Sequence, residues 1–482
     1  MKAVLITGTQ LFRNHPAIRD SSIDVFVMIE AEDLCRKLPY HQHKLILVLS
    51  GMRHYADYVR GMGKRVIYRT VDQAPLFHKT LLEMIAAEGI TELTWMKPAD
   101  VSTQRRLIDI AQQARVSYEV HANQLFLTPE ADLLDWFGRQ RNPIMEQFYR
   151  WQRHRTGILM DGTKPLGDKW NYDANNRLPL PKGGINIPAL PVLTHDDMTR
   201  AVIKEVATRF ADYPGDASRF WLPVTHAEAD AWLDDFIAQR FSQFGPYEDA
   251  MAEDEAFLFH SVLSPLINNG LLSVQQVIDA ALAAFEKQTA DLSTVEGFIR
   301  QIIGWREYMY GLYVTQPDMK QANFFGFDKQ LEDWWFTGEG IPETLPLPVK
   351  KALQRAHRYG YNHHIERLMV LGNWFLLNEY DPASVYRWFS ALYVDAYEWV
   401  MVPNVMGMSQ YADGGKTATK PYISGSNYLQ KMGRWWPSAE AARDSEFTTL
   451  YWRFLQRQHD KLKGNFRMSL VLKQALARKQ DD

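Results

Sequence analysis

The sequence predicts a two-domain protein, with an α/β N-terminal domain on a doubly wound parallel sheet and an all-α C-terminal domain. Strand-like and helical patterns alternate over the first 130 residues, whereas helical periodicity dominates from Asp197 to the end. Tryptophan is also unevenly distributed, since Trp95 is the only one of 15 before residue 130. We therefore expect an α/β domain over 1–130, an interdomain linker over 131–196 and a helical domain over 197–482.

The N-terminal domain is predicted from five short apolar runs separated by helical stretches. The runs cover residues 3–7, 25–29, 66–68, 93–96 and 116–120. Helical patterns between them cover residues 56–60, 76–87 and 103–114. Strands that alternate with helices indicate a parallel sheet. The turn "ITGTQL" after the first run holds one glycine, so a dinucleotide fingerprint is absent, although a ligand can still bind at the carboxyl ends of the strands.

The predicted linker begins with a basic and aromatic segment, "WFGRQRNPIMEQFYRWQRHRTG". Residues 161–192 then contain five prolines and no clear periodicity. So long a coil is usually functional or crosses between domains.

The helical domain is predicted from long amphipathic or buried patterns. These are "HAEADAWLDDFIAQRF", "VQQVIDAALAAFEKQ", "TVEGFIRQIIGWREYMYGLY", "HHIERLMVLGNWFLL" and "DPASVYRWFSALYVDAYEWVMV". The last predicts one helix over 382–401, with Asp381 as its N-cap and Pro382 in its first position. We expect that helix to end before Pro403.

Composition excludes several classes of protein. The net charge of −3 excludes a globally basic nucleic-acid binder but not a local basic patch. A single cysteine, Cys35, excludes an intrachain disulfide and a cysteine-rich metal or iron–sulfur site. The N-terminus lacks a signal-peptide pattern, and no run of 18 apolar residues occurs, so we expect a cytoplasmic protein with no membrane segment.

The stretch "YGYNHHIERLMVLGNW" places His363 and His364 at the start of an apolar helical pattern, with Arg367 one turn later. Asp395 shares the face of the predicted 382–401 helix with Trp388. A carboxylate there needs a partner, and Arg367 is the candidate. Two interpretations stay open, namely a polar cap on a core helix and a catalytic acid beside a cofactor.

Two further stretches suit an anionic ligand. The loop "MGMSQYADGGKTATKPYISGSNY" is rich in glycine, and its backbone N–H groups suit an anion or belong to an ordinary surface loop. In "FHSVLSPLINNGLL", Ser261 and Ser264 precede Pro265, which indicates a phosphate-binding helix start or an ordinary one.

Taken together, these segments resemble the bacterial (6-4) photolyases of the cryptochrome/photolyase family. The resemblance rests on "GFIRQIIGWREYMYGLY", "YNHHIERLMVLGNW", "YVDAYEWVMVPNVMGMSQYADGGKTATKPYIS" and "FTTLYW", with "RHRTG" and "KWNYDANNR" in the linker. It implies FAD in the helical domain and an antenna chromophore in the N-terminal domain. It also implies a monomer that uses blue light to repair a (6-4) lesion flipped out of UV-damaged double-stranded DNA in the nucleoid.

The resemblance assigns roles residue by residue. His364 matches the active-site histidine and proton donor, His363 its neighbour, and Tyr422 an active-site tyrosine. Trp388 matches an electron-transfer tryptophan, but the next position, often tyrosine in the family, is Phe389. The implied cofactor-binding residues are Ser261, Ser264, Arg367, Asp395, Asn404, Gln410 and Gly414, with Arg367 and Asp395 beside the flavin ring and Asn404 near its N5.

This sequence departs from the family pattern at positions that bind two cofactors in close bacterial relatives. Four cysteines hold a [4Fe–4S] cluster in those relatives, whereas this chain has Trp436, Ala439, Ser445 and a residue near Pro348 there, so we expect no cluster and no metal. Trp435 and Trp436 would fill the space. Thr9 replaces an aspartate near the antenna 6,7-dimethyl-8-ribityllumazine, with Glu30, Glu32 and Asp33 as remaining candidates.

Two functions remain open on the sequence, a (6-4) photolyase and a cryptochrome-like blue-light photoreceptor without repair. The paired histidines and Tyr422 favour repair. Two basic groups indicate a phosphate-binding surface or solvated helix faces. They comprise Arg139, Arg141, Arg150, Arg153 and Arg155, and, near the C-terminus, Arg453, Arg457, Lys461, Lys463 and Arg467.

Overall fold

The computed structural model describes residues 1–478, and its N-terminal part is a parallel five-stranded sheet of order β3-β2-β1-β4-β5. The strands are β1 Lys2–Ile6, β2 Val25–Ile29, β3 Val66–Arg69, β4 Glu92–Met96 and β5 Ser117–His121. Every predicted strand lies within one residue of these bounds, so the predicted parallel sheet is confirmed. β2 is buried along its whole length, as expected for an apolar strand covered on both faces.

Helices cover both faces of this sheet. They are α1 Pro16–Arg19, α2 Glu32–Cys35, α3 Gln42–Gly61, α4 Phe77–Glu88 and α5 Val101–Ala114. One sheet face, with Leu5 and Val27, packs in a core with α4 and α5. The other face, with Val4 and Phe26, shares a core with α3 and with helices of the C-terminal domain. The α/β domain is therefore joined to the helical domain by a continuous apolar core.

The predicted linker contains regular structure in its first half. It holds α6 Glu130–Gly138, α7 Met145–Thr156, and the short strands β6 Met160–Asp161 and β7 Lys164–Pro165. Phe137 and Phe148 of α6 and α7 pack against Tyr308 of the helical domain. Beyond Asn176 the chain has no helix or strand until α8.

The remaining chain is helical, as predicted. Its α-helices are α8 Asp197–Arg209, α9 His226–Asp235, α10 Phe241–Phe244, α11 Ser264–Asn269, α12 Val274–Glu286, α13 Leu292–Ile299, α14 Glu307–Thr315, α15 Asp333–Thr337, α16 Leu347–Tyr359, α17 Asn373–Leu377, α18 Pro382–Leu392, α19 Glu398–Met401, α20 Ser426–Gly433, α21 Ala439–Arg443, α22 Glu446–Arg457, α23 His459–Leu462 and α24 Ser469–Ala477. Wider π-helical turns occur at Phe236–Arg240, Arg300–Arg306, Glu366–Gly372 and Val402–Ser409. Such turns are frequent at functional sites, and the last two lie beside the predicted site.

The prediction of one helix over 382–401 is wrong. α18 begins as predicted, with Asp381 accepting from the N–H groups of Ala383 and Ser384, but it ends at Leu392. Residues 393–397 are not helical, and α19 then continues through Pro403 into a π-helical turn. The wider winding that begins at Val402 accommodates a residue without an N–H. Trp388 and Asp395 therefore do not share a helix face.

Within residues 1–478, no helix combines the length and the apolar character needed to cross a membrane.

Candidate functional site

Arg367 and Asp395 form a two-pronged ion pair between the π-helical turn at 366–372 and the non-helical segment 393–397. Arg367 donates from Nη1 to Oδ1 at 2.9 Å and from Nη2 to Oδ2 at 3.1 Å. Its Nε donates to the carbonyl oxygen of Asn362 at 2.7 Å. Such bidentate geometry fixes both side chains. The structure therefore brings together the pair that the sequence suggested, although Asp395 lies in a turn rather than in a helix.

The surroundings keep this pair charged. Burial alone would raise the pKa of Asp395, but Arg367 and the hydroxyl of Ser264 outweigh it, and the pKa falls below its usual value. Ser264 Oγ donates to Asp395 Oδ2 at 2.6 Å. The guanidinium of Arg367 also lies over the rings of Tyr361 and Tyr393, at 5.0 and 4.2 Å from their centroids. Aromatic faces stabilise a partly desolvated cation.

The two histidines before Arg367 have opposite environments. His363 is fully buried, and its ring lies parallel to that of His260 with centroids 4.4 Å apart. His364 is exposed to solvent although protein surrounds it on most sides. This desolvation, with the positive charge of Arg367, lowers the pKa of His364 to about 4. At neutral pH the ring of His364 is therefore uncharged in the protein alone.

A second buried ion pair holds the turn that carries His363 and His364 in place. Glu366 accepts from Arg355, and its other oxygen accepts from Asn362 Nδ2 at 2.7 Å. Asn362 Oδ1 in turn accepts from the hydroxyl of Tyr393 at 2.7 Å. This network ties the residue before His363 to the segment that carries Asp395. It gives the turn one defined position, because the side chains of this network are all hydrogen-bonded to one another.

Trp388 lies in an aromatic series that leads away from the ion pair. Its ring centroid is 5.8 Å from that of Tyr393 and 6.0 Å from that of Trp335, and its Nε1 donates to the Trp335 carbonyl at 2.7 Å. Trp335 is stacked on Trp334 at 4.2 Å, and Trp334 is half-buried. The adjacent tryptophans in "DWWF" are a local sequence signal for this series that sequence reasoning missed.

The other predicted cofactor-binding residues lie around the same region. They differ in which of their polar atoms are already hydrogen-bonded within the protein. Asn404 is half-buried and donates within its own helix to Val400 at 2.8 Å. Gln410 Nε2 donates to the Gly372 carbonyl at 3.1 Å, and its buried Oε1 has no protein partner. Ser261 Oγ accepts from the N–H of Leu263 at 3.4 Å. Their roles toward a cofactor stay predictions.

The glycine-rich loop is not a free anion site. Asp413 accepts from the N–H groups of Gly415 and Thr417 at 2.9 and 2.7 Å, so an anion would have to displace a carboxylate. Gly414 has a φ of +69° and is exposed beside Phe324. Tyr422 is half-buried, and Asn373 holds the neighbouring Ser424 by donating to its carbonyl at 2.9 Å. Tyr422 is thereby tied to the helical segment that carries His364.

One proposed phosphate contact is contradicted. Arg153 is fully buried and donates to the carbonyls of Ile158, Leu159 and Trp170, because the end of α7 turns back over it. Arg139 and Arg150 form ion pairs within their helices, at 2.8 and 3.1 Å. Of the predicted antenna residues, Glu30 is buried and accepts both guanidinium prongs of Arg53 at 2.7 Å.

The site fits a large polar ligand such as FAD. Several buried polar atoms on residues in and around the helical turn 363–372 have no hydrogen-bond partner in the protein, whereas most buried polar groups in proteins have one. They include both ring nitrogens of His363, Nε2 of His260, Nε and Nη1 of Arg240, and Oε1 of Gln410. Sequence reasoning missed His260 and Arg240, because no local pattern marks them and the ring that stacks on His260 belongs to the distant His363.

Comparison with known proteins places the chain in a family. A family model described as deoxyribodipyrimidine photo-lyase-related protein matches residues 4–222. A (6-4) photolyase of Agrobacterium fabrum is 37% identical over 479 residues, which cover 97% of this chain and 94% of the relative.

Two solved structures share the fold. A bacterial class III photolyase from Agrobacterium tumefaciens gives a TM-score of 0.60 at 15% identity, over 100% of this chain and 92% of that one. A cryptochrome of Synechocystis gives a TM-score of 0.61 at 12% identity, over 99% and 94%. The fold and these relatives define a member of the cryptochrome/photolyase family. Within it, the chain belongs to the bacterial (6-4) photolyase branch.

Proposed function

We propose that this protein uses FAD and blue light to repair (6-4) photoproducts in UV-damaged DNA. One observation carries the proposal: the exposed ring of His364 lies three residues before Arg367, whose largely buried guanidinium is paired with Asp395. A proton donor and a cofactor site are thus adjacent. The 37% identity to a named (6-4) photolyase supports the same reaction class.

Arg367 and Asp395 would hold the flavin ring, with Asn404 and Gln410 nearby. Asp395 is kept ionised by Arg367 and Ser264, so it can accept a hydrogen bond from a ligand N–H. Arg240 and His260 offer unpartnered nitrogens to polar parts of the same ligand. When bound, reduced FAD supplies a light-driven one-electron reduction of the lesion.

His364 would supply the proton that the reduced lesion needs. A ring with a pKa of about 4 is neutral at pH 7, so the acid form must be produced by binding. Anionic DNA beside His364 raises its pKa, because a nearby negative charge favours the imidazolium. Tyr422 lies on the segment fixed to this helix and would contact the lesion. The lesion reaches both groups only if it is flipped from the duplex.

The series Trp388, Trp335 and Trp334 would reduce the flavin from the surface. Adjacent ring centroids are 6.0 and 4.2 Å apart. Phe389 is hard to oxidise, and Trp335 provides the second step instead. Such a series serves a photolyase and a photoreceptor equally, so it supports light activation rather than repair.

DNA would bind through exposed cations near the C-terminus. Arg467 is exposed, and its charge acts on Tyr422. The ammonium of Lys461 already donates one hydrogen bond, to the Phe325 carbonyl, and so is only partly available to a phosphate. Phosphate contacts made by such residues are weakened by salt.

The deciding experiment is a repair assay with the purified FAD-loaded protein. An oligonucleotide with one (6-4) product is illuminated, and the return of intact pyrimidines is measured by chromatography, with a dark sample and a cyclobutane-dimer oligonucleotide in parallel. Repair of the (6-4) product in light alone supports the proposal. Normal flavin photoreduction without repair favours the cryptochrome-like photoreceptor.

The remaining cofactor and assembly proposals have simple tests. We propose that the protein lacks a [4Fe–4S] cluster, because no cysteine other than Cys35 exists to ligate one. Trp435 is buried and Trp436 half-buried near Phe447 in that region. Iron above trace levels would refute this. Fluorescence of the denatured extract identifies a lumazine antenna, and light scattering tests the proposed monomer.

A further inference from the structure

The ammonium of Lys44 connects the N-terminal domain to the segment that carries Asp395. Lys44 lies in the first turn of α3 and is buried. Its Nζ donates to the carbonyl of Ser390 at 3.2 Å and to that of Ala396 at 2.5 Å. Ser390 is in the last turn of α18, and Ala396 follows Asp395 directly. The ammonium therefore links the end of α18 to the 393–397 segment at the residue after Asp395.

Lys44 lies where a positive charge stabilises a helix. The last carbonyls of α18 have no partner within the helix, and their partial negative charge attracts a cation. The backbone N–H of His41 also donates to Ala391 at 2.9 Å. The beginning of α3 thus caps the end of α18, one residue before the non-helical segment starts.

A carboxylate of the same domain holds the other end of the segment. Asp100 follows β4, and its Oδ1 accepts from the N–H of Trp399 at 3.0 Å, in the first turn of α19. A negative charge at a helix N-terminus is favourable for the same reason. Lys44 and Asp100 therefore match the opposite charges of the two helix ends that flank Asp395.

Burial disfavours both charges, and nearby groups of opposite sign offset this only in part. Desolvation lowers the pKa of Lys44 to about 7, against the opposing effects of Asp395 and Asp100. Desolvation and Glu398 raise the pKa of Asp100 to about 6. The faces of Tyr40 and Tyr397 lie 4.6 and 5.2 Å from the ammonium. A well-packed apolar residue would avoid this desolvation, so packing alone does not account for a lysine here.

We infer that Lys44 and Asp100 form an interdomain clamp that sets the position of Asp395, and so the flavin affinity of the helical domain. This inference rests on the proposed binding of FAD beside Arg367 and Asp395. Neither residue contacts the reacting atoms, so both are positioning residues. The α/β domain would then help to build the flavin site as well as to carry an antenna.

The test compares FAD binding by Lys44→Met with that by Lys37→Met. Lys37 is exposed and affects Lys44 and Asp100 only through its charge, so its replacement controls for the loss of one nearby lysine charge. FAD is titrated into each apoprotein and followed by flavin fluorescence, and the flavin midpoint potential and the apoprotein Tm are measured. We expect Lys44→Met to weaken FAD binding by about tenfold or more and to shift the potential, with the apoprotein Tm within a few degrees of wild type. Lys37→Met should match wild type.

If Lys44→Met fails to fold, the variants Lys44→Gln and Asp100→Asn still test the clamp. Glutamine keeps N–H donors without the charge, and asparagine keeps the acceptor for Trp399, so each should weaken FAD binding by roughly threefold. FAD affinity and potential equal to wild type in these variants would overturn the clamp. If the apoprotein Tm falls in proportion to the loss of FAD affinity, Lys44 has only a structural role. This result would also overturn the clamp. Failure of the wild-type chain to bind FAD would instead refute the proposed function.

Discussion

The imidazole of His363 lies parallel to that of His260, with ring centroids 4.4 Å apart and an angle of 8° between the planes. Both rings are buried, and Nε2 of each lacks a hydrogen-bond partner, although Nε2 of His363 lies 3.8 Å from Oε1 of Glu366. Burial and mutual proximity lower the pKa of His260 to about 3 and that of His363 well below its usual value. Two neutral rings are therefore stacked directly behind the exposed His364.

This stacked pair should make the apoprotein sensitive to acid. In the unfolded chain each ring takes up a proton near pH 6.5, whereas the folded protein resists protonation to much lower pH. The unfolded state then binds more protons, so stability is constant above pH 6.5 and falls as the pH drops toward 4. Each ring contributes a slope of at most about 1.4 kcal/mol per pH unit.

Urea unfolding of the apoprotein between pH 8 and pH 4.5 measures that slope. His260→Gln should flatten it, because the titrating ring is removed. His78→Gln, at an exposed position in α4, is the control and should leave it unchanged. An unchanged slope in His260→Gln would contradict the assignment.

Replacing His364 by alanine should abolish repair and leave the cofactor in place. General acid catalysis contributes roughly 100-fold or more to a rate, so we expect at least that loss in the yield of repaired pyrimidines per absorbed photon. FAD content should be unchanged, because His364 is exposed and makes no hydrogen bond to the Arg367–Asp395 pair. His78→Ala should repair normally. Full activity in His364→Ala would show that another group donates the proton.

Replacing Asp395 by asparagine should release FAD. The change leaves the guanidinium of Arg367 largely buried without its counter-charge, which costs about 3–5 kcal/mol in comparable pairs. We expect FAD affinity to fall at least about tenfold and the Tm to drop. Arg367→Met/Asp395→Asn should lose less than the sum of its single variants, because the two side chains interact. Asp318→Asn, on the surface, is the control, and additive losses would contradict a coupled pair.

The strands and most helices could be predicted from the sequence because their apolar patterns are local. The break in the 382–401 helix could not, since residues 393–397 contain no glycine or proline. Contacts from distant residues impose it, namely Lys44, Asp100 and the N–H of Val394 donating to the Gly360 carbonyl. Tertiary contacts overrode local helix propensity there.

The candidate site was predictable to a similar extent. Family motifs gave His364, Arg367 and Asp395, and the structure brings the last two into contact. His260 and Lys44 could not be found, because their partners lie 103 and more than 300 residues away and no local pattern marks them. Arg153 was predicted to be exposed because it belongs to a run of basic residues. In the structure its guanidinium is buried and donates to three backbone carbonyls.

Replacing Trp335 by phenylalanine should slow flavin photoreduction about tenfold or more and leave the fold intact. Phenylalanine fills most of the same space but is much harder to oxidise, and the hydrogen bond from Trp388 Nε1 ends on the backbone carbonyl of residue 335, which the change preserves. Transient absorption after a blue-light pulse, with an external reductant present, measures the rate. Trp452→Phe, at a half-buried tryptophan beside Tyr451, is the matched control and should behave as wild type. If Trp388→Phe blocks photoreduction and Trp335→Phe does not, the electron reaches Trp388 by a path that does not pass through Trp334 and Trp335.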